Sequence, residues 1–133
     1  YGIHCDTQAG CDASSGSLGH GVGIAVGMAL ADRHKNVYVL TTDGESNEGS
    51  FWESLRIAKE LNLTNLKWYL NANGLGAYQS IDVDFLEARM ESFGFPVEIR
   101  RTNSNLMPFM QGLDSHYHIL NEEEYKELMI LLR

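Results

Sequence analysis

The chain has 133 residues, 44% hydrophobic and 21% charged, with a formal net charge of −8; this suits one ordinary globular domain with one core. The acidic balance argues against nucleic acid as a partner, though not against a phosphorylated ligand, which a metal ion and backbone N–H groups hold without a basic surface. Cys5 and Cys11 read as free thiols in a reducing, cytoplasmic setting, no leader segment is visible, and no apolar run approaches the roughly 18 residues of a membrane span, so no membrane association is expected.

Residues 1–18 are rich in Gly, Ser, Asp and Thr and read as an irregular, ligand-facing segment. Val22, Val26 and Leu30 recur at helical spacing and predict a helix over Gly19–Arg33, with Gly19, Gly23 and Gly27 forming a row suited to close packing. The run Val37-Tyr38-Val39-Leu40 predicts a buried strand over Asn36–Thr41. A helix over Ser50–Leu61 follows, with Phe51, Leu55 and Ala58 on one face, then a strand over Leu66–Leu70. A third helix is expected over Val83–Phe93, stopped near Gly94, and a third strand over Val97–Arg100. Asn121 and Glu124 match a capping box before a last helix carrying Tyr125, Leu128 and Leu132. Strands alternating with helices predict a three-layer α/β/α fold on a mostly parallel sheet, with ligands beyond the carboxyl ends of the strands. His116 and His118 suggest no metal-ligand geometry and read as surface groups.

Two of those strand ends carry ligand chemistry. In 37-VYVLTTDGESNEG-49 an apolar strand runs directly into Asp43-Gly44 and a polar turn. Gly44 lets the backbone approach a ligand, N–H groups of such a turn can converge on a phosphate, and Asp43 could hold a hard cation bridging it. The same two residues also suit a plain solvated turn. In 66-LKWYLNANG-74 the pattern repeats, with Asn73-Gly74 thirty residues after Asp43. Ends of adjacent parallel strands are neighbours, so an Asp, an Asn and a backbone carbonyl just beyond could share one Mg²⁺, which favours oxygen ligands and keeps phosphates among them.

The stretches 43-DGESNEG-49 and 73-NG-74 resemble the long thiamine-diphosphate motif, and 16-GSLGHGVGIAVGMALA-31 is similar to the glycine-rich loop and helix of transketolases. The stretch 94-GFPVEI-99 resembles the family's G-W-x-V-x-x strand, and 117-YHILNEEEY-125 resembles the tail of the same domain. The resemblance covers most of the chain and implies the diphosphate-binding domain of that family, with a thiamine-diphosphate-binding fold over residues 1–133 in a compact or incomplete form. It implies Mg²⁺ held by the side chains of Asp43 and Asn73 and the carbonyl of Leu75. Gly44 and Glu45 would line the diphosphate, and Gly16 and Leu18 would face the cofactor near its aminopyrimidine. His4 matches a histidine that contacts sugar substrate, His20 lies in the glycine-rich loop, and Glu48 and Glu53 match acidic positions at the subunit interface.

Three departures stand out. Thr42 replaces the first glycine of G-D-G, where its side chain would crowd the diphosphate; the segments Asn73–Phe85 and Arg101–His116 are short. In the family an activating glutamate comes from a pyrimidine-binding domain on a partner subunit. The implied function is therefore the thiamine diphosphate and Mg²⁺ component of a split transketolase-like enzyme, moving a two-carbon ketol unit between sugar phosphates. The partner would be a pyrimidine-binding and C-terminal subunit, in a homo-oligomer or heterotetramer. Two alternatives stay open: a component of a 2-oxo acid decarboxylase or dehydrogenase, and a non-catalytic regulatory module that kept the fold.

Overall fold

The computed structural model of the chain describes residues 5–76, 78–103, 107–109, 111–113 and 118–131. Among the described residues four α-helices and three β-strands follow in the order α1 (His20–Ala31), β1 (Val37–Thr42), α2 (Gly49–Glu60), β2 (Leu66–Ala72), α3 (Val83–Ser92), β3 (Val97–Arg101) and α4 (Glu122–Leu131). The strands form a parallel sheet in the order β1-β2-β3, with Val37 opposite Leu66 and Trp68 opposite Val97. Parallel neighbours need crossovers, and α2 and α3 supply them. The fold is the expected α/β/α class on a parallel sheet.

Boundaries move by one or two residues from the sequence expectation, as helix and strand ends do. The larger differences have physical causes. Gly19 is not in α1 but caps it, at φ +72°. The polar turn after β1 is a 3₁₀ helix, Asp43–Asn47. The glycine row is only partly a packing device: a Cβ on Gly23 would meet Ser54 Oγ of α2 at 3.8 Å, while one on Gly27 would meet nothing within 4 Å. The expected buried run of β1 alternates instead. Val39 and Thr41 point into the core, whereas Tyr38 and Leu40 are 67% and 75% exposed on the other face. Side chains of a strand alternate in direction, so a continuous apolar run is buried throughout only where both faces are covered.

The core lies on the covered face. Val22, Ala25, Val26 and Ala29 of α1 meet Phe51, Leu55 and Ala58 of α2, and Trp68 and Leu70 of β2, in one cluster that Leu86 and Met90 of α3 join. Phe51 and Trp68 pack edge to face with centroids 5.0 Å apart, and Trp68 Nε1 donates to Thr41 Oγ1 at 3.0 Å, so the buried indole keeps its hydrogen bond. Asn65 is buried where it donates to the carbonyls of Ala29, Asp32 and Lys35, closing the end of α1 and the turn after it. Gly94 ends α3 in the left-handed region at φ +68°, as its position predicted. The capping box of α4 is present: Glu124 N–H donates to Asn121 Oδ1 at 3.0 Å, and Asn121 N–H to Glu124 Oε2 at 2.9 Å. Leu132 and His116 lie outside the described residues, while His118 is bonded to Glu124. Cys5 and Cys11 are free and exposed. Among the described residues no helix is long and apolar enough to cross a membrane.

Candidate functional site

The register of β1 and β2 brings their carboxyl ends together: Thr42 lies opposite Asn71, so the turns that leave each strand, at Asp43 and at Asn73, emerge side by side. Asp43 is 1% exposed. Its Oδ2 accepts from the N–H of Gly74 at 2.7 Å and of Asn73 at 3.1 Å, and its Oδ1 accepts from Gly44 N–H at 3.1 Å. Burial pushes the carboxyl above its ordinary range, opposed by these backbone donors. Among the described residues Asp43 has no ion-pair partner.

Asn73 turns its side chain onto its own backbone, Oδ1 accepting from Leu75 N–H at 2.9 Å. Gly74 is left-handed at φ +79° and reverses the chain. The following hairpin-like loop is closed by Gly76 N–H to Gln79 O and Ile81 N–H to Gly74 O, bonds that flank Leu75 without using its carbonyl. A Cβ on Gly44 would stand 3.6 Å from Gly76 Cα and 4.0 Å from Leu75 O, so this glycine keeps open the gap between the two turns. Gln79 Nε2 also reaches Asn47 Oδ1 at 3.2 Å, a second link between the turns.

These donors can be tested against a hard divalent cation. A carboxylate has about four lone-pair positions, and the N–H bonds to Asp43 take three. Asn73 Oδ1 and the Leu75 carbonyl each retain acceptor capacity. The set is all oxygen and includes a buried, uncompensated carboxylate, which matches the needs of Mg²⁺ beside phosphate. Among the described residues no three His, Cys, Asp or Glu side chains converge, so a softer, side-chain-only site has no ligands here.

The glycine-rich loop reaches the same end of the sheet. Gly19 is buried against the start of α2: a Cβ there would lie 2.7 Å from Glu48 Cβ and 2.9 Å from Ser50 Oγ. Ser50 Oγ donates to Gly19 O at 3.1 Å. Gly16 and Leu18 lie exposed in this loop, Leu18 at 43%, so the leucine is not a core residue. His20 opens α1, exposed, with Nδ1 2.9 Å from Ser15 Oγ. Glu48 is half-buried at the cap of α2 and Glu53 is exposed on that helix. His4 lies outside the described residues. Thr42 is extended at φ −108°, a conformation that does not require glycine, and is exposed.

Sequence reasoning missed the side chain of Glu45. Its Oε2 accepts from Thr42 N–H at 2.9 Å. The carboxyl is raised by burial and lowered by the backbone N–H groups of Thr42 and Gly19. The spacing T-x-x-E at 42–45 is a capping-box signal that would have found the Thr42 bond. It also missed Trp52, whose Nε1 donates to Ser46 O at 2.7 Å and so ties α2 to the 3₁₀ turn. Two open clefts, of about 360 and 450 Å³, are lined by residues such as Lys59, Phe95 and Val97 toward the amino ends of β2 and β3. Neither cleft is lined by Asp43, Asn73 or Leu75, which lie at the carboxyl ends of the strands.

No family model matches the chain. Transketolase-like protein 2 of Mus musculus is 36% identical over 109 residues, covering 70% of this chain and 17% of that protein. Transketolase of Homo sapiens is 39% identical over 97 residues, covering 66% of this chain and 16% of that protein. An apulose-4-phosphate transketolase of Actinobacillus succinogenes, named as one subunit of its enzyme, is 38% identical over 96 residues, covering 66% of this chain and 35% of that protein. The chain thus spans about a sixth of the length of the mammalian relatives and about a third of the bacterial one.

Proposed function

The chain belongs to the transketolase family, and from that premise we propose that it binds thiamine diphosphate and Mg²⁺ as one component of a split enzyme that moves a two-carbon ketol unit between sugar phosphates. The observation that carries the reading is the buried Asp43 carboxylate, bonded across the strand ends to the backbone of Asn73 and Gly74 and lacking a cation among the described residues. Asp43, Asn73 and the Leu75 carbonyl would hold the metal, and the backbone at Gly44 and Glu45 would line the diphosphate. Gly16 and Leu18 would face the aminopyrimidine, His4 would contact the sugar substrate, and His20 would act from the glycine-rich loop. The bound cofactor supplies a nucleophilic thiazolium carbon and an electron sink for the C–C bond that breaks. The chain's own residues bind and orient it; proton removal falls to a glutamate of the partner's pyrimidine-binding domain.

A partner of that kind is a proposal supported by the naming of the Actinobacillus succinogenes relative as one subunit of its enzyme. Residues 1–133 would form a single diphosphate-binding domain, with Glu48 and Glu53 at the start of α2 lying against the partner. Two experiments test the reading. Calorimetry with thiamine diphosphate and Mg²⁺ should give saturable heat, and its absence even with the partner present sinks the binding claim. Co-purification with a pyrimidine-domain subunit, followed by a ketol-transfer assay, should show activity only for the pair. Release of CO₂ from a 2-oxo acid instead would move the complex to the decarboxylase alternative.

A further inference from the structure

We propose that Arg101 is a positioning residue for the metal-side turn, holding the start of α3 so that the chain leaving β2 presents Asn73 and the Leu75 carbonyl in one place. The identity of the ligand rests on the cofactor reading above; the geometry does not depend on it. Arg101 is the last residue of β3 and lies opposite Ala72, the residue before Asn73. Its guanidinium grips Glu87 in bidentate fashion, Nε to Oε1 at 2.9 Å and Nη2 to Oε2 at 2.6 Å, and Nη2 also donates to Asp84 Oδ1 at 2.6 Å. Both carboxylates stand in the first half of α3. The next residue, Thr102, donates its N–H to the Ala72 carbonyl at 2.8 Å. Two consecutive residues at the end of β3 therefore fix the segment between β2 and α3 at both of its ends: Thr102 where it leaves β2, Arg101 where it enters α3.

The start of α3 bears directly on the turn. A Cβ built on Gly74 would stand 4.0 Å from Val83 Cγ2 and 3.5 Å from Ile81 O, and Ile81 N–H donates to Gly74 O at 2.9 Å. Between them Asp82 caps the helix, its Oδ1 accepting Phe85 N–H at 3.0 Å. Movement of α3 away from β3 would carry Ile81 and Val83 off Gly74, and with them the support of Asn73 and Leu75. Of the ten residues of α3 only Leu86 and Met90 are buried, so packing alone leaves its amino end loosely held. An exposed ion pair usually adds little to stability; the exceptions are bidentate arginine–carboxylate pairs and charge networks, and this is both. The guanidinium also offsets the repulsion between Asp84 and Glu87, which neighbour each other on the helix face.

The test compares the wild-type chain with Arg101→Ala, with the double variant Asp84→Asn and Glu87→Gln, and with Arg56→Ala, which removes the exposed Arg56–Glu60 pair of α2 as a control. Hydrogen exchange is measured without ligand at the Leu75, Gly76 and Ile81 amides, each bonded within the turn, and at the buried Leu55 of α2. In Arg101→Ala and in the double variant the turn amides should exchange about three- to fivefold faster, the upper range for an exposed pair, with Leu55 little changed. The control should leave the turn amides unchanged. Calorimetry with thiamine diphosphate and Mg²⁺ should show affinity falling by a similar factor in both variants. The gap from wild type should narrow at about 1 M salt, where charges are screened beyond roughly 3 Å. Unchanged exchange at the turn overturns the proposal, as does an equal rise at Leu55, which marks a merely structural role, or wild-type affinity in both variants. If the turn amides respond but the wild-type chain binds no thiamine diphosphate, Arg101 stands as the anchor of the turn and the cofactor reading is what fails.

Discussion

Asp43 and Gly74 are joined across the ends of two parallel strands: Asp43 Oδ2 accepts the Gly74 N–H at 2.7 Å, with Asn73 N–H on the same oxygen at 3.1 Å. One carboxylate therefore shapes the turn that presents Asn73 and Leu75, and would itself be a metal ligand. Replacing it removes both roles. Asp43→Ala leaves three backbone N–H groups, of Gly44, Asn73 and Gly74, without their acceptor, at roughly 1–3 kcal/mol or more of lost stability. The variant should unfold several degrees lower in a thermal scan and give no Mg²⁺-dependent heat with thiamine diphosphate. Normal binding by the variant would remove Asp43 from the site.

Two glycines, Gly19 at the cap of α1 and Gly27 within it, make opposite predictions. Gly19→Ala forces a side chain into the left-handed region and onto Glu48, and should destabilise by about 2 kcal/mol or more. Gly27→Ala adds a methyl into open space within α1 and should stabilise by about 0.5–1 kcal/mol. Denaturant midpoints of the two variants should move to opposite sides of the parent.

Thr42 offers a test of the departure from G-D-G. Its extended backbone does not need glycine, so Thr42→Gly gains no relief of strain and should cost roughly 0.5–1 kcal/mol through chain entropy. If its side chain crowds a bound diphosphate, the same variant should bind thiamine diphosphate severalfold more tightly despite being less stable. Unchanged affinity by calorimetry would show that the threonine is no obstacle.

The acid limb of stability has an identifiable contributor. Arg101 Nε and Nη2 donate to Glu87 at 2.9 and 2.6 Å, and this bonding holds the Glu87 carboxyl below its ordinary value. A carboxyl whose pKa is lower in the folded state contributes stability above its unfolded pKa and loses it as pH falls through the folded one. Glu87→Gln should flatten the fall in melting temperature below about pH 4.5, the ordinary Glu range, leaving other carboxyls to account for the rest. The pair is exposed, so the effect should be small and should shrink further in high salt.

Much of the architecture was legible from local pattern. The 3.6-residue spacing of Phe51, Leu55 and Ala58 placed α2, the apolar runs placed β1 and β2, Gly94 marked the end of α3, and Asn121 with Glu124 marked the start of α4. Each of these is a short-range preference, set by a few neighbouring residues. Asp43 and Asn73 could be paired because parallel strands one crossover apart are neighbours, so their carboxyl ends meet. The bond that makes Asp43 organise the second turn was not legible, since its partners are backbone N–H groups, which every residue except proline carries.

By itself the sequence determined the alternation of strands and helices and the residue types at the two strand ends, because these follow from periodicity and local spacing; the family came from the resemblance of its motifs. Tertiary structure decided the rest. Only the folded chain distinguishes Gly19, closed in by Glu48 and Ser50, from Gly27, which faces open space. Only the register of β1 against β2 puts the Asp43 oxygens within reach of the Gly74 amide, and only the approach of the entry of α1 to α2 brings Ser50 Oγ to the Gly19 carbonyl. These facts depend on contacts between residues about thirty positions apart, and a hydrogen bond at 2.7 Å is set by where two backbones come to rest rather than by which residues they carry.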